Sequence, residues 1–115
     1  MRPINAKEYV TLQANEIQQR FTHIQQTIGE AQQALADAPN EIRDCIEKLS
    51  RESKQATDII KSADQQRVVE CVDNLESISD DAKRISRSLP TMPAHLEAAV
   101  TRVHAELSEL KHKLH

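Results

Sequence analysis

The chain has 115 residues and a formal charge of −3, with acidic and basic residues interleaved along its whole length. That size supports one domain, 1–115, with a single modest core, and the lack of a basic arm argues against nucleic acid or an anionic membrane as partner. Tyr9 and Phe21 are the only aromatic residues and Gly29 the only glycine, a composition typical of long helices. No apolar run exceeds three residues and "MRPINAKEYV" has no apolar stretch of the signal-peptide kind. A soluble cytoplasmic protein is therefore expected.

In the first segment apolar residues fall at Val10, Ala14, Ile17, Phe21, Ile24, Ile28, Ala31, Leu35 and Ala38, spaced alternately by four and three. This is a sustained heptad pattern. It predicts a helix over about 5–37, with Asn5 and Glu8 as a capping box and Pro39 forbidding continuation, and with Asn40 available to cap the next helix. Gly29 falls inside this helix, at a cost of about 1 kcal/mol relative to alanine; it reads either as an outer position without a role or as a close approach of another helix.

Two heptad runs follow, Ile42, Ile46, Leu49, Ser53, Ala56, Ile60 and Ala63, then Val68, Cys71, Leu75, Ile78, Ala82, Ile85 and Leu89. Their registers are offset at "SADQQR", residues 62–67. The stretch contains no Gly, Pro or Asn, and the offset fits a stutter inside one continuous helix over 41–88. Length matching favours that reading: helices folded back from either proline turn would meet near 66–72, where Val68, Val69, Cys71 and Val72 widen the apolar face. The alternative is a break near 62–65, with Ser62 and Gln65 as a capping box and four helices in all. The last segment, Leu96, Val100, Val103, Leu107, Leu110 and Leu114, predicts a helix over about 92–114, with Pro93 in its first turn and Thr91 or Met92 at the cap. The expected fold is all-α, an antiparallel bundle or coiled-coil-like hairpin of long heptad helices.

Glutamine flanks the first seam. With Ile17, Ile24 and Ala31 at d, the e positions are Gln18, Gln25 and Gln32, where charged residues usually select the partner. A neutral amide loses less than a charge when it is desolvated. A further helix is therefore expected beside this seam, from the same chain or from another copy. If the middle helix is continuous, most of the molecule is two helices thick, and a homodimer forming a four-helix arrangement would cover it. The candidate interaction surface is Ile17, Gln18, Phe21, Ile24, Gln25, Ile28 and Gln32 with Val68, Val69 and Val72.

Patterns for catalysis are missing: there is no glycine-rich phosphate loop, nucleophile elbow or His-Glu-x-x-His. The expected role is non-enzymatic, a self-associating interaction or structural protein that binds protein and needs no cofactor. Cys45 and Cys71 lack a metal-type spacing and read as small, buried hydrophobes. Glu109 and His112 make one Glu-x-x-His, half of what a di-iron bundle uses, but both fall on outer heptad positions. A metal-binding bundle is the third reading. The second is a signalling or phosphotransfer-like bundle using an exposed histidine. His23, His95 and His104 are followed by "IQQTIG", "LEAAV" and "AELSE", none of which brings a lysine and a glycine to a phosphoryl group.

Overall fold

A computed structural model describes residues 6–62 and 64–114, with side chains from Asn15 onward. Four helices follow one another, α1 (Ala6–Gln33), α2 (Asn40–Ser62), α3 (Gln65–Ser88) and α4 (Ala94–Leu114). Each packs on its neighbours in sequence and α1 also packs on α4, while the diagonal pairs stand farther apart across the shared core. This is an up-down-up-down bundle from one chain.

The predicted continuous helix over 41–88 is thus corrected to two helices. Asp64 supplies the break: its backbone is extended, at φ −74° and ψ 102°, and its Oδ1 accepts a hydrogen bond from the Arg67 amide at 3.3 Å. Its carbonyl accepts the first helical bond, from Val68 N at 2.9 Å. The Ser62 hydroxyl closes the preceding helix by donating to Ile59 O at 2.6 Å. Aspartate is as strong an N-cap as asparagine, so the stretch needed no glycine or proline to turn. The cap is Asp64 rather than Ser62. Because one chain now provides four helices, the argument for a dimer from a two-helix-thick molecule loses its premise.

At the other end of the bundle α1 stops at Gln33, four residues before the predicted limit. Short-range bonds from Ala34 N to Ala31 O and from Leu35 N to Gln32 O tighten the last turn, and the Arg43 guanidinium donates to Leu35 O at 2.9 Å. Leu35 and Ala38 stay buried although they have left the helix, so the apolar spacing runs on through the turn. Pro39 and Pro93 take the capping places: their carbonyls accept from Arg43 N and Glu97 N. Asn40 is therefore the first residue of α2, and α4 begins at Ala94 instead of 92. The cap expected from Asn5 and Glu8 lies outside the described residues and side chains.

The interior is aliphatic, with Ile24, Ile46, Leu75 and Leu107 each at 1% exposure or less. In α3 the buried face is rotated from the predicted one. Val72, Ser79 and Ser86 are buried, whereas Cys71, Ile85 and Leu89 are only half-buried. The serines fit because each hydroxyl donates to a carbonyl one turn back, Ser79 to Glu76 O at 2.7 Å and Ser86 to Lys83 O at 2.9 Å. A buried hydroxyl satisfied in its own helix avoids the penalty of an unpaired polar group. At Gly29 an added Cβ would meet nothing within 4 Å. This rules out the close-approach reading.

α1 is the longest helix. Its Ile17 shares a small recess with Leu110 and Leu114, so the end of α4 lies level with Ile17. Ala6–Ala14 continues for roughly 13 Å, at 1.5 Å per residue, beyond that level.

Candidate functional site

Most of the candidate interaction surface is taken up by the chain itself. Phe21, Ile24, Ile28, Val68 and Val72 are buried in the core, so they are not available as an open face. Ile17 and Val69 are half-buried, Gln18 and Gln25 are half-buried, and Gln32 is exposed. Gln25 accounts for one of the flanking glutamines: its Nε2 reaches across to α2, donating to Ser53 O at 3.1 Å and Thr57 Oγ1 at 2.9 Å. The further helix beside that position comes from the same chain.

The remaining seams differ in chemistry. Between α2 and α3 the rim mixes half-buried apolar side chains with charged and amide ones. Cys45, Ile59 and Cys71 are half-buried there, the Cys45 thiol lies 3.5 Å from Ile78 O, and an open groove of about 320 Å³ is lined by Ala56, Ile59 and Cys71 together with Glu52, Gln55, Arg67, Glu70 and Asn74. Burial pushes both thiols upward in pKa, helped by Asp81 at Cys45 and by Glu52 at Cys71. Neither is primed as a nucleophile.

Between α3 and α4 the contact is charged. Glu76, largely shielded, receives Lys111 Nζ at 3.3 Å and lies 3.6 Å from His104 Nε2, which is also 3.4 Å from Asp80.

The α1–α4 seam has the densest polar arrangement. Glu106 on α4, only 18% exposed in its side chain, accepts from Thr27 Oγ1 at 2.9 Å and lies 2.9 Å from His23 Nε2. Arg20 bonds Glu16 at 3.1 Å and Glu109 at 3.3 Å, Lys113 lies 3.6 Å from Glu16, and Arg102 bonds Glu30 at 3.1 Å. The Arg20 hydrogen bond, with Lys113, holds the Glu16 carboxyl below its ordinary pKa. These helices enclose an open groove of about 450 Å³ lined by Gln19, Arg20, His23, Ile24, Arg102, Glu106 and Glu109.

Glu109 thus faces Arg20, while His112 is exposed, and among the described residues no group of three or more His, Cys, Asp or Glu side chains is arranged to hold a metal ion. No helix among the described residues is long and apolar enough to cross a membrane. Spacing rules did not find the α1–α4 cluster, because Thr27 and Glu106 are 79 residues apart. Only the exposed heptad position of His23 was legible. Comparison with protein-family models, with characterised proteins and with solved structures finds no match for this chain.

Proposed function

We propose that the protein is a non-enzymatic helical module that self-associates, with α1 as its docking element. The observation that carries this reading is the length of α1. Its apolar spacing continues at Val10 and Ala14, in the turns that run past the end of α4. At that same end of the bundle Ile17, Val69 and Leu114 are half-buried rather than covered. An amphipathic helix laid against such an apolar end is a common mode of helical recognition, and a second copy supplies both parts. The combined variant Val10→Asp/Ala14→Asp tests this. It should elute from a sizing column as a monomer that keeps its helical circular dichroism. An assembly that survives both charges would refute the reading.

A further inference from the structure

We propose that His23 is a phosphoryl-acceptor site, its Nδ1 the nucleophile and Glu106 the group that orients and charge-compensates the ring. This stands independently of self-association. His23 Nε2 lies 2.9 Å from Glu106 Oε2. A carboxylate only accepts hydrogen bonds, so Nε2 carries the ring proton. In the neutral ring the lone pair is then on Nδ1. The side chain of His23 is 64% exposed, so a donor has access to it.

Glu106 is itself held in place. Its other oxygen takes the Thr27 hydroxyl at 2.9 Å and its side chain is largely shielded, so the imidazole is positioned by a fixed partner instead of a freely rotating surface carboxylate. This is the nucleophile-and-orienter arrangement that activates weak nucleophiles.

The other described histidines lack this combination. His104 also faces carboxylates but is 18% exposed. His95 and His112 are exposed, and the histidine–carboxylate pairs seen among the described residues are those of His23 and His104.

The groove beside His23 brings in two guanidiniums, Arg20 and Arg102. They are tied to Glu16, Glu109 and Glu30 by ion pairs at the surface, where water and salt screen such pairs and leave them weak. A phosphoryl group can compete for them. Phosphoryl transfer depends mainly on positioning and on neutralising the charge spread over the phosphoryl oxygens. Glu109, in the same groove, opposes the incoming anion, and the two guanidiniums have to outweigh it.

The chemical class of donor is a phosphoramidate, an N–P compound. Nδ1 forms a bond to phosphorus as the donor's N–P bond breaks, and the donor nitrogen leaves as the neutral amine with its electron pair. The ring becomes a cationic N-phosphoimidazolium that keeps its Nε2 proton. Glu106 stabilises the positive charge so created, and the released amine takes a proton from water.

The test uses the full chain and potassium phosphoramidate at neutral pH, with acid-labile phosphate mapped by mass spectrometry at each histidine. His23 should be labelled about tenfold faster than His95 or His112, the ratio that ~1.4 kcal/mol of transition-state stabilisation gives. Glu106→Gln, which keeps the shape and an oxygen for Thr27, should bring His23 down to the rate of His95. Arg102→Gln, at an exposed site, gives a second readout should Glu106→Gln not fold, and should slow His23 while leaving His95 unchanged. Equal labelling of the three histidines, or a His23 rate that neither variant changes, would overturn the proposal.

Discussion

The α1–α4 and α2–α3 seams close the same bundle over the same kind of aliphatic core, yet their rims are tied differently. Across α1–α4, Thr27, His23 and Glu106 meet at hydrogen-bond distance and Arg20, Arg102 and Lys113 pair with glutamates. Across α2–α3, Cys45, Ile59 and Cys71 rest on apolar neighbours. Aliphatic contact does not discriminate between neighbours, because one aliphatic stripe fits another about as well. Groups that must find a particular partner do discriminate. The tight turn at Asp64 already makes α2 and α3 adjacent, so their pairing does not depend on the rim. α1 and α4 are not consecutive helices, no turn between them sets their pairing, and there the polar clamp has a topological task.

The comparison can be broken first at the core, where the two regions should behave alike. Leu107→Ala and Leu75→Ala each empty a fully buried site and should cost about 2–5 kcal/mol in urea unfolding. A much smaller loss at one of them would mean that its region is loosely packed. Thr27→Val is the next largest, and it separates the seams. It keeps the shape but removes one of the groups that hold Glu106, and should lower stability by about 1–2 kcal/mol, whereas Cys71→Ala should leave the helix order and the salt response unchanged. Asp64→Ala removes the cap that ends the α2–α3 hairpin and should cost about 1 kcal/mol.

The smallest effect is the pH response, where the seams should fail at opposite limits. Glu16 is held below its ordinary value of 4.5 by Arg20 and Lys113. The stability it contributes is present above that value and is lost as pH falls through the lowered folded one. Burial raises Cys45 and Cys71 above 9.0. Their contribution is complete below 9.0 and disappears as pH rises through the folded values. Unfolding curves should therefore show an acid limb weakened by Glu16→Gln and an alkaline limb weakened by Cys45→Ala/Cys71→Ala. Exchange of the two assignments would contradict the comparison.

Much of the fold was legible because aliphatic spacing and proline positions act locally. The all-helical class, the turns at Pro39 and just before Pro93 and the buried faces of α1 and α4 follow from residues within one or two turns of each other. Two local features misled. Asp64 turns the chain without glycine or proline, and Ser79 and Ser86 occupy the core because their hydroxyls bond within their own helix. Neither has an apolar or turn-forming label to announce it. The α1–α4 cluster was beyond sequence spacing altogether, since His23 and Arg20 meet Glu106 and Glu109 only once the chain has folded back three times.

Self-association through α1 is the central claim, and light scattering on the unmodified chain across the micromolar range tests it most directly. A mass at least twice the 13.0 kDa of one chain, falling towards one chain on dilution, is the predicted result. A mass of one chain at every concentration would contradict it.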